Sequence, residues 1–174
     1  MDVFDTALEV IDLRSFSNLW YWIMLAVLWS SVSHWSLGVP HDMVQRARRE
    51  GGQALGDVED LVRINVNRIL HIMDSGALVV VGLTAFWLST LLLLGFYYGV
   101  EFAQALVLLL GPLSLVLWAS VRESRRIAAG ANRGEALLRR LTVHRRVLQV
   151  IGMISIAVTA LYGTWQNIRV SILY

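Results

Sequence analysis

Four apolar runs, at residues 18–37, 76–96, 102–121 and 147–165, constrain this chain more than anything else in it. Each is long enough for a helix to cross a hydrocarbon core of about 30 Å, which takes roughly 20 residues. Helices buried in a soluble bundle keep a polar stripe toward water, and these runs show almost none. Composition agrees: 56% of residues are hydrophobic and 16% are charged, with mean hydropathy +0.59, whereas soluble domains average about 25% charged. The predicted fold class is all-α, an integral membrane four-helix bundle that forms one domain over residues 1–174.

Orientation follows from arginine. All fifteen basic residues are arginine, and thirteen lie in the connections 38–75 and 122–146. Loops rich in Lys and Arg stay on the cytoplasmic side during insertion. With both connections inside, the N- and C-termini are outside, so residues 97–101 form a short external turn and spans two and three a tight hairpin. Aromatic residues fit this layout. Trp20, Tyr21, Trp22, Tyr97, Tyr98, Tyr162 and Trp165 fall at outer ends, and Trp35 and Trp118 at inner ends, the depth where a ring is apolar but one group still reaches water. The segment before the first run is acidic (Asp2, Asp5, Glu9 and Asp12 against Arg14). It lacks the basic n-region of a signal peptide, so the first span is expected to be retained.

The two cytoplasmic segments differ. In the first, Pro40 starts a short helix through Gln45 that ends at Gly51-Gly52. A second helix, amphipathic over 57–75, repeats Val58, Leu61, Val62, Val66, Ile69 and Met73 at helical spacing. That helix either lies on the membrane surface or bends into span two near Ser75-Gly76, and we expect the bend. The second segment, 122–146, reads as a helical hairpin. Its first helix runs to about Ala129, Gly130 closes it with positive φ, and Asn132 with Glu135 resembles a capping box. Eight arginines there face only Glu123 and Glu135, whereas six acids offset five arginines in 39–75.

Candidate sites are few. Gly152, Ser155, Thr159 and Gly163 make a small-residue face on span four, the kind of surface that lets helices approach closely in lipid. It suits packing inside the bundle or against another subunit. Gly82, Ala85 and Ser89 make a weaker one on span two. Arg122, Arg125, Arg126, Arg139, Arg140, Arg145 and Arg146 are candidates for contact with anionic lipid or a protein partner. Ser30, Ser31 and His34 share one face of span one, and polar groups at that depth need partners within the protein. Gly111-Pro112 interrupts span three and leaves the Leu108 carbonyl without its helical donor. Glu101 reads as a solvated turn residue. The chain contains no cysteine, which excludes disulfides, thiolate metal sites and cysteine catalysis within it. No phosphate loop, paired catalytic carboxylates or Ser/His/Asp grouping can be assembled. No cofactor is expected, and nucleic acid is not an expected partner because aromatic residues do not interleave with the arginines.

The stretch Arg14-Ser-Phe-Ser-Asn-Leu-Trp-Tyr-Trp22, with Ser33-His34-Trp35 and Gly38-Val-Pro-His-Asp-Met-Val44, resembles the opening of a family of small bacterial inner-membrane proteins. Leu61-Val-Arg-Ile-Asn-Val-Asn-Arg68 and Gly99-Val-Glu-Phe-Ala-Gln104 are similar to it too. Members are identified as components of the SUF iron–sulfur assembly complex. The resemblance implies a bacterial inner-membrane location and a place in an assembly; it brings no functional residues to carry over. The expected function is a non-catalytic accessory or assembly subunit acting through helix packing and a basic cytoplasmic face. One alternative is a small oligomeric channel or transporter, with Pro112 as kink and Ser30, Ser31 and His34 lining a path. Another is a haem-binding electron-transfer subunit using His34, His41, His71 or His144.

Overall fold

Helix α1 (Leu19–His34) is shorter than the first apolar run. The computed structural model describes residues 15–130 and 132–173. Ahead of α1, a 3-10 turn spans Ser15–Ser17. Asn18 caps α1, its Oδ1 accepting the Trp20 N–H at 3.0 Å. The helix ends because the chain turns back on itself. Trp35–Ser36 (β1) pairs antiparallel with Val39–Pro40 (β2) through Leu37 at φ 52° and Gly38 at φ 74°. Two successive positive φ values suit a two-residue hairpin. A Cβ on Gly38 would lie 2.7 Å from Asn65 Nδ2, and its positive φ favours glycine there. The expectation of a helical span over 18–37 is therefore corrected. Sixteen residues are helical, about 24 Å at 1.5 Å each. Among the described residues three helices, α1 not one of them, are long and apolar enough to cross a membrane.

Pro40 caps α2 (His41–Glu50), as its fixed φ predicts, and Gly51 at φ 62° ends it. Helix α3 (Gly52–Leu92) starts five residues ahead of the expected Asp57 and bends where expected, with Gly76 at φ −141° and ψ 17°. A wider π turn, Leu93–Tyr97, and Gly99 at φ 74° lead into α4 (Glu101–Ala128). Gln104 Nε2 donates to the Gly95 carbonyl at 2.7 Å and ties this hairpin together. A Cβ on Gly95 would stand 2.9 Å from the Gln104 backbone nitrogen. Helix α5 (Gly134–Leu173) is the last described element.

The packing has two halves. At the arginine-rich end, Val58, Val62 and Val66 of α3 form one core with Leu37, Val39, Val44, Ala47, Ile127, Leu137, Leu138 and Leu141. The periodic face of 57–75 is thus apolar as predicted, but protein covers it: β1–β2, α2 and the 122–146 hairpin supply what a membrane surface would otherwise provide. Each such Val or Leu contributes about 1.5–3 kcal/mol of burial. In the apolar half, α4 packs against both α3 and α5, and α1 lies on α5 and α4. The apolar part of α3 is the least covered: 6% of its most apolar window is buried, against 22% in α4 and 28% in α5.

The hairpin 122–146 forms, with Gly130 at φ 151° and its N–H donating to the Ile127 carbonyl at 3.2 Å. Its expected capping box does not. The Gly134 N–H at the start of α5 donates to Glu59 Oε1 of α3 at 2.7 Å, while Glu135 pairs with Arg48 of α2 at 3.4 Å. An acceptor on a neighbouring helix, Glu59, does what a local box would have done, and with the Arg48–Glu135 pair it joins three helices at one point.

Candidate functional site

The small-residue face of α5 points inward. A Cβ on Gly152 would sit 2.8 Å from Trp29 Cε3, and one on Gly163 3.1 Å from the Phe16 ring. Ser155 and Thr159 between them are buried, Thr159 completely. Their partners are α1, the turn before it and α4. The face is filled within this chain. Ser155 Oγ donates to the Leu108 carbonyl at 3.4 Å, the carbonyl that Pro112 deprives of a helical donor.

At the opposite end of the apolar half, aromatic side chains pack on one another. Phe16 meets Tyr21 edge-on at 5.6 Å and Tyr162 at 5.5 Å. The Tyr21 hydroxyl donates to the Ala105 carbonyl at 3.3 Å. Tyr21 and Tyr162 therefore belong to a packed cluster, whereas Trp20 and Tyr97 stay exposed. Glu101 is not a solvated turn residue. Its Oε1 accepts the Phe16 N–H at 2.8 Å and pins the 3-10 turn to the start of α4.

The arginines divide into engaged and outward-facing groups. Glu123 takes Arg140 at 3.0 Å and Arg126 at 3.6 Å. Arg145 Nε donates to the Ser33 carbonyl at 3.0 Å, satisfying one of the last carbonyls of α1. Arg122 lies over the Trp118 ring at 5.3 Å. Arg125, Arg139 and Arg146 are exposed.

Ser30, Ser31 and His34 are all exposed in this chain, and Ser30 lines an open groove between α1 and α5 with Trp29, Gln149 and Gly152. Of the four histidines, His144 alone is buried, with its Nε2 3.4 Å from Ser120 Oγ. Burial pushes its imidazole below the ordinary value, with the Glu123 carboxylate pulling the other way. His41 is shifted down as well, first by burial and then by the Arg145 charge. Among the described residues no three His, Asp or Glu side chains converge as a metal-binding group.

One concave feature was not anticipated. Between α3 and α4 runs a groove of about 850 Å³, within the 300–1,000 Å³ typical of ligand sites. On α4 its wall is the continuous stripe Ser114, Leu117, Trp118, Val121, Arg122, Arg125, Arg126; these positions recur at three and four residues, so they share one face. Facing them on α3 are Ala77, Val81 and Ala85. The small-residue positions on α3 and the arginines of α4 were visible in the sequence. What was not visible is that no third helix covers them, because that depends on α1 and α5 packing on the far side of α4. Comparison with family models, with curated proteins and with solved structures finds no match to this chain.

Proposed function

We propose that this protein is a non-catalytic accessory or assembly subunit of the bacterial inner membrane, with four spans, both termini periplasmic, and a basic cytoplasmic face that docks a partner. The observation that carries the reading is the core at the arginine-rich end, where Val58, Val62, Ile127, Leu137 and Leu138 join three segments of sequence. That core holds the surplus arginines of 122–146 on a rigid platform, and a platform loses little side-chain and loop entropy on binding. Exposed Arg139 and Arg146 project from it, offering charge-assisted hydrogen bonds to an acidic partner. Only sixteen residues of the first run are helical; α1 crosses as a short span by local thinning of the bilayer or by snorkelling of its flanks. The resemblance of residues 14–104 to inner-membrane assembly components supports the same role.

Affinity purification of the full chain in mild detergent tests the proposal. A stoichiometric protein partner, lost in Arg139→Gln/Arg146→Gln, is expected. A chain that purifies alone from its native membrane overturns it.

A further inference from the structure

The groove between α3 and α4 has two chemically distinct ends. Along Leu117 and Val121 on one wall and Ala77, Val81 and Ala85 on the other it is apolar, with the Ser114 hydroxyl turned to the Gly111 carbonyl. At the inner end it carries three guanidinium groups, Arg122, Arg125 and Arg126. From residue 114 to 126 the wall extends about 18 Å at 1.5 Å per residue, slightly more than one leaflet of a hydrocarbon core about 30 Å thick. The charged end therefore falls at headgroup depth when the apolar end lies near the midplane. Trp118 marks the boundary, and Arg122 stacks on it at 5.3 Å. Arg126 is partly engaged by Glu123 at 3.6 Å, and Arg125 has no acidic partner among the described residues. No acidic side chain lines the groove.

We propose that this groove is a specific site for an anionic phospholipid of the cytoplasmic leaflet. One acyl chain lies along the apolar walls, and the phosphate is held by Arg122, Arg125 and Arg126. Charge complementarity selects this occupant over a partner helix. A transmembrane helix seated here would set its own apolar end against three guanidinium groups, and close helix approach uses small residues, whereas Leu117, Trp118 and Val121 make a bulky α4 wall. Basic pockets between spans on the cytoplasmic side are suited to anionic headgroups, at about 1 kcal/mol for each arginine near the surface. The site rests on α3 and α4 spanning the membrane and is independent of the partner-docking role.

The test is native mass spectrometry of the intact chain in mild detergent, titrated separately with phosphatidylglycerol and with phosphatidylcholine of the same acyl chains. Phosphatidylglycerol should bind at least tenfold more tightly, and Arg122→Gln/Arg125→Gln/Arg126→Gln should reduce its affinity about a hundredfold, leaving phosphatidylcholine unchanged. Arg139→Gln/Arg146→Gln, outside the groove, should leave the preference intact. Millimolar inorganic phosphate should fail to displace the lipid, since the acyl chain supplies much of the binding. Equal retention of both lipids, no effect of the triple variant, or displacement by inorganic phosphate would overturn the site. Because the chain has no cysteine, Ala85→Cys reports the rival occupant: efficient disulfide dimerisation through the groove in membranes would also overturn it. These outcomes separate from the docking role, because a chain that keeps the lipid but purifies without a partner contradicts only the latter.

Discussion

Ser155 donates its hydroxyl to the Leu108 carbonyl across the α4–α5 interface at 3.4 Å. That carbonyl lacks a helical donor because residue 112 is proline. The two features, one on each helix, complement each other. At 3.4 Å the bond is long, and hydrogen bonds between membrane helices average about 0.6 kcal/mol. Ser155→Ala should therefore cost about 0.6 kcal/mol, measured by unfolding in mixed micelles. In Pro112→Ala, where residue 112 regains an N–H for Leu108, the same substitution should cost less. Equal costs in both backgrounds would mean that the two residues are uncoupled.

Gly152 is held to glycine by what it faces, and Gly163 is closely packed. Gly152→Ala places a methyl against the Trp29 ring at 2.8 Å, and overpacking of this kind costs about 1–3 kcal/mol. Gly82→Ala meets nothing within 4 Å and should be neutral or stabilising by up to about 1 kcal/mol. Thermal unfolding of the two variants side by side decides the matter. If Gly82→Ala proves the more damaging, the packing described for α5 is wrong.

Much of this architecture was legible in the sequence because its causes are local. Pro40, Gly51, the bend at Gly76 and the tip at Gly99 each act through their own backbone, and each lies where the spacing placed it. The periodicity of Val58, Val62 and Val66 was equally legible. What covers that face was not, since Leu137, Leu138 and Leu141 come to it from about 75 residues away in the chain. The same limit explains Glu101, which the sequence presents as a solvated turn residue. Glu59, Glu101 and Glu123 each accept from a distant backbone or guanidinium. Proline at 112 exposed the need for a donor to Leu108, and only the fold identifies Ser155 as the one that meets it.

The cap supplied by Glu59 to the Gly134 N–H should be measurable. Glu59→Ala should cost about 0.5–2 kcal/mol, as loss of a helix N-terminal acceptor generally does, and Glu59→Gln should recover most of it because an acceptor oxygen remains. Hydrogen exchange at the first turn of α5 reports this directly. Identical exchange in wild type and Glu59→Ala would remove the cap from the account.

Acid should loosen the arginine-rich end. His144 is buried and favours the neutral imidazole in the folded chain, so stability is full above the unfolded value of about 6.5. It is lost as pH falls below that value toward the lower folded one. His41 acts in the same direction. His144→Gln, which keeps a polar group but does not titrate, should flatten melting temperature between pH 7.5 and 5. A wild-type protein that gains stability on acidification over that range would contradict the assignment.

The absence of cysteine makes the central claim, four spans with both termini outside, directly measurable. Single cysteines at Leu19, Gln53, Tyr98, Arg133 and Arg169, all exposed in the fold, can be probed in intact cells with a membrane-impermeant maleimide. Leu19, Tyr98 and Arg169 should label from outside, and Gln53 and Arg133 only after the membrane is opened. Labelling of Leu19 on the same side as Gln53 would show that α1 does not cross and would leave three spans; labelling of Gln53 and Tyr98 from one side would contradict the topology altogether.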